Sequence, residues 1–397
     1  MQAVIMAAGN GVRLRPLTVT KPKPLLKLGG KTILQHNLDE LIGLVDEVIL
    51  VVGYKGEMIK ELIKDDYRGI KIKYIDQGEP IGTGHAAKLA LPFLKEKFII
   101  MNGDDVYGRD DIVKILKKDK PSLLLKEEES PSCFGQVVVD NGYVKSLVEK
   151  PEEIVSNLVN IGFYFLDKSF FNTEIEKSVR GEYEITDYLR KYLEKDKLSY
   201  EIAERWYPVS YPWNLLDANA KILEEMKHSV SHKAVVEKYA TLLDGVTVGE
   251  GTVVKNGAYI EGPVYIGKNC TIGPNCSIRK FSSIGDNVKI GHAVEVKNTI
   301  VGDNTKIPHL SYFGDSIIGD NCNMAAGTIA ANLRHDKETV KSMCKDKLID
   351  TKRTHFGCVI GDNSRTGIGT MIYPGRKIWP NQTTLPNSTV TKDIVSD

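Results

Sequence analysis

Residues 264–290 read "VYIGKNCTIGPNCSIRKFSSIGDNVKI", and a large aliphatic residue recurs in this stretch at every sixth position. The same spacing extends on both sides, through the set Val248, Val254, Ile260, Ile266, Ile272, Ile278, Ile284, Ile290 and Val296. A small or β-branched residue stands two positions before each of them, as Cys270 does before Ile272. This period predicts a left-handed parallel β-helix whose short strands point their aliphatic side chains inward.

The repeat also explains most of the cysteines. Cys270, Cys276, Cys322 and Cys358 all occupy the small position of the repeat. A free cysteine packs as a small hydrophobic residue, so we expect these side chains to fill the core. None of the six cysteines belongs to a C-x-x-C pair, which argues against a zinc site.

The first half of the chain has a different pattern. Short apolar strands such as "EVILVV" (47–52) alternate with helical stretches such as "GEMIKELIKD" (56–65) up to about residue 230. This alternation predicts an α/β domain of Rossmann-like type with a mostly parallel sheet. We therefore predict two domains, residues 1–230 and 231–397, linked by a helical stretch at 212–230.

Composition narrows the function classes. The chain has 397 residues and a formal net charge of +1, which argues against a generic nucleic-acid binder. No stretch approaches the roughly 18 apolar residues of a membrane span, and the first residues do not read as a signal peptide. We expect a cytoplasmic protein that binds neither nucleic acid nor membrane.

The loop after the first strand reads "AAGNGVRLRPLTVTKPKP" at 7–24. Gly9 and Gly11 allow backbone angles that point amides toward a phosphate, and Arg13 and Lys23 can add positive charge. The spacing is neither a Walker loop nor G-x-G-x-x-G. Taken alone, this stretch reads equally well as a tight turn with basic surface residues.

With the segments that follow it, this loop resembles the signature of sugar-1-phosphate nucleotidylyltransferases. The matching segments are "QGEPIGTGHAA" (77–87), "NGDD" (102–105), "FGQVVV" (134–139), "VEKP" (148–151), "NLVNIGFY" (157–164) and "RGEYEITD" (180–187). The resemblance implies that Arg13 and Lys23 are catalytic and that Asp104 holds Mg²⁺. It assigns Ala8, Gly9, Gly11, Gln77, Gly82 and Thr83 to the nucleotide, and Gly135, Glu149, Lys150 and Asn160 to the sugar phosphate.

One segment departs from the family pattern. Close relatives carry Trp-x-Asp-[Ile/Val]-Gly-x-Pro-Trp, whose aspartate is the second metal ligand, whereas residues 206–214 read "WYPVSYPWN" here. Pro208 stands in place of that aspartate and offers no side-chain ligand. Asp104 and the triphosphate would then hold Mg²⁺, or the transferase half has lost its activity.

The repeat itself carries a second resemblance. We expect "TKIPHLSYFGDSIIGDN" (305–321) to break the six-residue rhythm and to present a histidine. The order "SIRKF" (277–281), "VEVKNT" (294–299), "IPHLSYFGDS" (307–316) and "NCNMAAGTIAANLR" (321–334) resembles the acetyltransferase half of the bifunctional N-acetylglucosamine-1-phosphate uridyltransferase/glucosamine-1-phosphate acetyltransferase family, in its archaeal-type branch. Together with the first half, the resemblance spans nearly the whole chain.

This resemblance implies that His309 is the general base of acetyl transfer. It places Arg279, Lys297, Tyr312 and Asn323 on the sugar phosphate, and Asn332 beside the histidine or the acetyl group. The basic stretch 334–355 is either a contact for the phosphates of coenzyme A or a solvated charged loop. Related sequences have lysine where this chain has Glu338, so Lys337 and Lys341 are both candidates there.

The resemblance as a whole predicts a homotrimeric bifunctional enzyme of UDP-N-acetylglucosamine synthesis. It would acetylate an amino-sugar 1-phosphate with acetyl-CoA and then transfer UMP from UTP with Mg²⁺. The alternatives are an acetyltransferase with an inactive first half, and a non-catalytic sugar-nucleotide-binding subunit. Glucosamine against galactosamine or glucose, and UTP against dTTP, stay open.

Overall fold

The computed structural model describes residues 1–178 and 180–395 and contains two compact units. The α/β unit comprises Met1–Asn10, Pro22–Leu25 and Ile33–Pro208. The β-helix unit comprises Gly11–Lys21, Leu26–Thr32 and the chain from Val209 onward. The two compact units are therefore not separated by a single cut of the chain at residue 230. The domain boundary at 230 stays a prediction. The last two residues of the predicted second domain lie outside the described residues.

A ten-stranded sheet forms the centre of the α/β unit. In spatial order its strands are Gly135–Asp140, Tyr143–Glu149, Ser199–Ile202, Ser122–Glu127, Leu158–Asp167, Lys97–Asn102, Gln2–Ala7, Glu47–Val52, Ile70–Asp76 and Asp66–Tyr67. The four strands from Lys97–Asn102 to Ile70–Asp76 in this order are parallel, as predicted, and mostly antiparallel strands extend the sheet. Apolar runs such as "EVILVV" form these strands because the parallel part is buried on both faces.

Helices cover this sheet and also supply two elements of the β-helix unit, Val12–Leu14 and Pro212–Glu225. The α-helices are Ile33–Leu41, Gly56–Ile63, Thr83–Ala90, Arg109–Leu116, Ile185–Leu193 and Pro212–Glu225. The 3-10 helices are Val12–Leu14, Lys23–Leu25, Leu91–Phe93, Pro131–Cys133 and Lys168–Phe171. Pro212–Glu225 lies in the β-helix unit and is shorter than the predicted helical stretch 212–230. Across the described residues, no helix has the length and apolar character needed to span a membrane.

The β-helix unit is built from parallel strands that stack coil upon coil. One column of strands comprises Val246–Val248, Val264–Ile266, Ser283–Ile284, Ile300–Val301, Ile317–Ile318, Val359–Ile360 and Lys377–Ile378. The other columns contain Val235–Val236, Thr241–Leu242, Val253–Val254, Tyr259–Ile260, Thr271–Ile272, Ser277–Ile278, Lys289–Lys297, Lys306–Gly314, Ile329–Ala330, Met371–Ile372 and Thr389–Val390. This confirms the predicted parallel β-helix. Short antiparallel pairs add Lys27–Leu28 with Lys31–Thr32, Lys341–Cys344 with Lys347–Asp350, and, in the α/β unit, Val106–Tyr107 with Trp206–Tyr207.

The core of the β-helix follows the six-residue rule. All nine large aliphatic residues of the repeat are buried, from Val248 at 2% exposure to Val296 at 0%. The four cysteines of the small position are buried as well, as predicted. Since each coil buries identical positions, the stack forms one continuous apolar core.

The expected break of the repeat within residues 305–321 lies after Phe313 and not at the histidine. Ile307 and Phe313 both fill inward positions with 0% exposure, and they are six residues apart. The strand Lys306–Gly314 pairs along its length with Lys289–Lys297 of the coil before it. The irregularity is a shortening by one residue after Phe313, because the next inward position is Ile318. The strand that carries His309 is therefore a regular part of the β-helix, and the irregularity follows it.

Candidate active sites

The loop after the first strand is divided between the two units. Ala8 and Gly9 follow the strand Gln2–Ala7 in the α/β unit, where a Cβ atom on Gly53 would lie 3.0 Å from the carbonyl oxygen of Ala8. Gly11 has a left-handed backbone with φ of 58° and begins the turn that carries Arg13. Gly11 and Arg13 both belong to the β-helix unit.

Lys23 and Asp104 meet in the α/β unit. The Lys23 Nζ lies 2.7 Å from Asp104 Oδ2 and 3.8 Å from Asp105 Oδ1. The Lys23 side chain is 10% exposed, whereas that of Asp104 is 43% exposed. Asp104 therefore presents an accessible carboxylate beside a fixed positive charge, which suits a ligand that carries phosphates. The structure brings together the predicted catalytic lysine and the predicted metal ligand.

Pro208 follows a strand that runs beside the Asp104 loop. Trp206 pairs with Tyr107 and Tyr207 pairs with Val106 in an antiparallel ladder. The departure from the family pattern thus lies at the end of a strand that pairs with Val106–Tyr107, just after Asp104 in the chain, and it supplies no second carboxylate ligand. Over residues 1–178 and 180–395, no three His, Cys, Asp or Glu side chains are grouped to hold a metal. Mg²⁺ commonly takes one or two carboxylates and completes its shell with phosphates and water, so Asp104 fits it.

The predicted nucleobase loop is held by backbone contacts with residues 183–185. Gln77 is buried, and its Nε2 donates to the Gly82 carbonyl at 3.0 Å. Gly82 has a φ of 122°, and a Cβ there would lie 2.2 Å from the carbonyl oxygen of Tyr183. The Thr83 hydroxyl accepts from the amide of Ile185 at 3.1 Å. Gln77, Gly82 and Thr83 therefore form one connected turn at the start of the helix Thr83–Ala90.

The predicted sugar-phosphate residues of the α/β unit converge on Gly135. This residue pairs with Glu149 on one side and with Asn160 on the other. A Cβ on Gly135 would lie 2.8 Å from Glu149 Oε2, so a larger residue here would displace the Glu149 carboxylate. Lys150 Nζ lies 3.0 Å from Glu149 Oε1, and Asn160 Nδ2 donates to the Tyr164 hydroxyl at 2.8 Å. The four predicted residues thus form one cluster.

On the β-helix, the predicted cations stand on successive coils. The Arg279 guanidinium lies 3.0 Å from Glu295 Oε1, and both side chains are half-exposed. Lys297 Nζ lies 3.4 Å from Asp315 Oδ2. Because a β-helix stacks equivalent positions, residues that are far apart in sequence present a shared row of charge.

Asp315 is a central residue that sequence reasoning missed. This carboxylate is 3% exposed and accepts from Asn298 Nδ2 at 2.7 Å and from Asn332 Nδ2 at 2.6 Å. Arg353, also missed, lies 3.9 Å from it. A buried carboxylate with several donors fixes the groups around it. The "FGDS" stretch that contains Asp315 carried the only sequence signal.

The side chains of Tyr312 and Asn332 both lie close to Gly314. A Cβ on Gly314 would lie 2.4 Å from the Tyr312 hydroxyl and 2.6 Å from Asn332 Nδ2. Burial and the nearby Asp315 carboxylate raise the pKa of Tyr312, so its hydroxyl keeps its proton near neutral pH. The structure therefore joins Tyr312, Asn332 and Lys297 around one carboxylate.

His309 lies three residues before Tyr312 on the strand Lys306–Gly314 and is exposed. Its register partner on the preceding coil is His292. Leu310 has a φ of 33°, and a Cβ on Gly291 would lie 1.8 Å from the Pro308 carbonyl oxygen. The backbone is thus tightly constrained on either side of the histidine, which holds the imidazole at the surface.

Asn323 belongs to a different column of the β-helix from Tyr312. It bridges Lys306 on one side and Arg365 on the other, whereas Tyr312 pairs with Ile329. Its predicted contact with the sugar stays a prediction.

The basic stretch 334–355 folds as a hairpin of Lys341–Cys344 and Lys347–Asp350. Lys337 and Lys341 are both exposed, and Lys337 has a φ of 59°. Arg353, near the end of this stretch, points back to Asp217 and Asp315. One residue of the stretch thus belongs to the Asp315 cluster, and the coenzyme A contacts stay predictions.

Two family models match the chain. The "Nucleotidyl transferase" model matches residues 2–225, and the "GMPPB C-terminal domain" model matches residues 260–396. The bifunctional protein GlmU of Methanocaldococcus jannaschii is 40% identical, with coverage of 100% of this chain and 96% of that protein. This chain belongs to the family of bifunctional GlmU proteins. A bifunctional sugar-1-phosphate nucleotidylyltransferase/acetyltransferase of Sulfurisphaera tokodaii is 35% identical, with coverage of 99% and 98%.

Membership of the GlmU family confirms the predicted family of UDP-N-acetylglucosamine synthesis. The protein is a nucleotidyltransferase with acetyltransferase activity, rather than an acetyltransferase alone or a non-catalytic subunit. A crystal structure of a Bacillus anthracis protein assigned as a glucose-1-phosphate thymidylyltransferase, in complex with a sucrose, has a TM-score of 0.53 at 24% identity. The match covers 58% of this chain and 97% of that protein, and it supports only the assignment of the fold.

Proposed function

We propose that the enzyme acetylates glucosamine 1-phosphate with acetyl-CoA and then transfers UMP from UTP to the product. The observation that carries this proposal is the Asp315 carboxylate, which binds Lys297 and Asn332 next to Tyr312, on the β-helix wall that also presents His309. A passive β-helix stalk has no need of a buried carboxylate that organises cations and amides at its surface. The sugar-1-phosphate cluster around Gly135 supplies the matching second site.

In acetyl transfer, the 2-amino group of the sugar attacks the thioester carbonyl carbon of acetyl-CoA. A C–N bond forms, the C–S bond breaks and coenzyme A leaves as its thiol. We assign the proton of the attacking amine to His309, because an imidazole accepts and releases protons near neutral pH. Arg279 and Lys297 would bind the sugar phosphate, and Tyr312 and Asn323 the sugar. Asn332 orients the acetyl group, and Lys337 or Lys341 contacts coenzyme A.

In UMP transfer, a phosphate oxygen of the sugar 1-phosphate attacks the α-phosphorus of UTP, and pyrophosphate leaves. Such a transfer needs positioning and charge neutralisation rather than a covalent nucleophile. Arg13 and Lys23 supply positive charge, Ala8, Gly9 and Gly11 the loop around the phosphates, and Gln77, Gly82 and Thr83 the base contacts. Asp104 would hold Mg²⁺, which neutralises phosphate charge when bound.

The sugar 1-phosphate of this reaction binds at the Gly135 cluster in our proposal. Glu149 and Asn160 would contact its hydroxyls, and Lys150 its phosphate. A homotrimer through the β-helix, which would place the acetyl-transfer site between subunits, and a cytoplasmic location complete the proposal. The trimer rests on the sequence resemblance.

Two assays on the full chain test the proposal. Coupled pyrophosphate detection follows UTP with N-acetylglucosamine 1-phosphate and Mg²⁺, and a thiol reagent follows acetyl-CoA with glucosamine 1-phosphate. We expect turnover in both, with the Asp104→Asn variant inactive only in the first. A panel with galactosamine and glucose phosphates and with dTTP identifies the preferred substrates. Undetectable pyrophosphate release across that panel would contradict the proposed uridylyl transfer.

A further inference from the structure

The segment Gly11–Lys21, which carries Arg13, is packed with the β-helix rather than with the rest of its own signature motif. It belongs to the β-helix unit, and so does the next short segment, Leu26–Thr32. Leu14, Leu17 and Thr18 are at most 3% exposed, so the segment is a buried part of that unit. Side chains of the β-helix hold this segment in place.

A column of four aspartates follows one edge of the β-helix. Asp286, Asp303, Asp320 and Asp362 form this aspartate column, and each follows a glycine at the same point of its coil. The Oδ1 of each accepts a backbone amide of the preceding coil, as Asp362 Oδ1 does from the Asp320 amide at 2.8 Å. These bonds fix the orientation of every carboxylate and leave Oδ2 for another partner.

Three of the four Oδ2 atoms bind the N-terminal segments. Lys21 Nζ forms ion pairs with Asp320 and, at 3.1 Å, with Asp362. The Thr20 hydroxyl donates to Asp362 Oδ2 at 2.6 Å, and Lys27 Nζ pairs with Asp303. The side chains of Lys21 and Asp362 are 15% and 8% exposed. They are therefore unlike exposed surface pairs, which contribute little.

The charge state of Lys21 agrees with this geometry. Burial alone would lower the pKa of Lys21, but the two carboxylates outweigh it and raise the pKa above its usual value. A second lysine contacts the segment, since Lys377 is 1% exposed and its Nζ donates to the Arg15 carbonyl at 3.0 Å. Burial lowers the pKa of Lys377, and this contact is a hydrogen bond without a carboxylate partner among the described residues. Buried side chains thus hold the segment at Arg15 and at Lys21.

We propose that Asp320 and Asp362 are positioning residues for uridylyl transfer: they hold Lys21 and so set the place of the segment that presents Arg13. This inference rests on the proposed role of Arg13. It makes catalysis by the nucleotidyltransferase depend on two carboxylates of the β-helix that touch no substrate. Small displacements of a group that acts by position cost large factors in rate, about 10²-fold for 1 Å.

The test compares D320N/D362N with D286N in the full-length protein. Asparagine keeps the Oδ1 acceptor for the backbone amide. It removes the negative charge and replaces the Oδ2 acceptor, which Lys21 and Thr20 use, with an amide donor. Asp286 is the matched control, because it holds the same place in the column and, among the described residues, has no ion pair with a lysine of the N-terminal segments. We expect kcat for pyrophosphate release to fall about 10- to 100-fold in the double variant, with KM for the sugar phosphate and acetyl transfer unchanged.

A double-mutant cycle with K21M makes the positioning role distinguishable from a loss of folding. K21M alone should reduce kcat as strongly as D320N/D362N, and the triple variant should be no worse than either. K21R should restore part of the rate. Equal kcat in D320N/D362N and D286N, or strictly additive losses in the cycle, would overturn the inference.

The same experiment separates this inference from the proposed function. A wild-type enzyme that releases no pyrophosphate would overturn the assignment of uridylyl transfer and the inference with it. An active wild type whose D320N/D362N variant keeps full kcat would overturn the inference alone. If the double variant loses both activities, K21M, which leaves the column intact, decides the outcome.

Discussion

The two candidate active sites of this protein are built in different ways. In the α/β unit, the site lies in loops at the ends of strands. Neighbouring groups lie so close to glycines such as Gly82 and Gly135 that a Cβ atom there would overlap them. On the β-helix, regular coils carry the site, and a single buried carboxylate, Asp315, joins residues from several coils. The site of the α/β unit depends on the shape of the backbone, whereas the site of the β-helix depends on the charge of a side chain.

This difference predicts how each site fails. A side chain added at a glycine should distort the loops of the α/β unit and weaken ligand binding there, because the clash lies in the backbone. Loss of one carboxylate should release several side chains of the β-helix site at once, while the coil backbone stays in place. The predictions below test this contrast.

The largest effect should come from H309A. We expect acetyl transfer to fall about 10²- to 10⁴-fold, because a positioned general base contributes a factor of this size. Uridylyl transfer should be unchanged, since His309 has no part in the proposed uridylyl-transfer site. Thiol release from acetyl-CoA measures the first activity, and H292A is the matched control on the adjacent coil. Acetyl transfer within tenfold of wild type would show that His309 is not the base.

D315N should weaken acetyl transfer about 10- to 100-fold. The amide cannot accept from both Asn298 and Asn332 and also pair with Lys297, so we expect KM for the sugar phosphate to rise. E295Q is the control, because its ion pair with Arg279 is half-exposed and worth little. If D315N and E295Q have equal KM values, Asp315 does not organise the site.

G82A should act on the other site. Alanine there combines a strained backbone with an overlap with the Tyr183 carbonyl, which we expect to cost more than about 3 kcal/mol. G78A is the control in the same loop, because its φ of 66° is also left-handed but a Cβ meets no atom within 4 Å. For both variants, thermal unfolding measures the loss of stability and KM for UTP measures the loss of nucleotide binding. Similar values for the two variants would mean that the tight approach to Tyr183 is unimportant.

The smallest effect concerns the cysteines and should leave activity unchanged. Burial raises the pKa of Cys270 to about 11 and that of Cys322 to about 12, so these thiols stay protonated and unreactive at pH 8. Cys133 is exposed in the α/β unit. Mass spectrometry after brief alkylation at pH 8 should find Cys133 modified first, and C133S should remove that signal. Rapid alkylation of Cys270 would contradict the closed core of the β-helix.

Much of this architecture could be read from the sequence because its signals are local or periodic. A six-residue period needs no knowledge of distant contacts to place Ile278 or Cys276 in the core. The loop motifs likewise keep Gly82 with Thr83 and Gly9 with Gly11. The sequence was misleading about where the repeat is interrupted, because His-Leu-Ser-Tyr looks irregular in composition although Ile307 and Phe313 keep the period, and the shortening follows Phe313.

What the sequence by itself determined is the fold of each half and the candidate residues within each motif, since periodic burial and turn chemistry act between near neighbours. Only the tertiary structure decided that Asp315 joins Lys297 to Asn332, and that Lys21 binds Asp320 and Asp362. Coil stacking and chain crossing bring these charges together over long sequence separations. A buried ion pair depends on that spatial meeting, and no spacing within one motif encodes it.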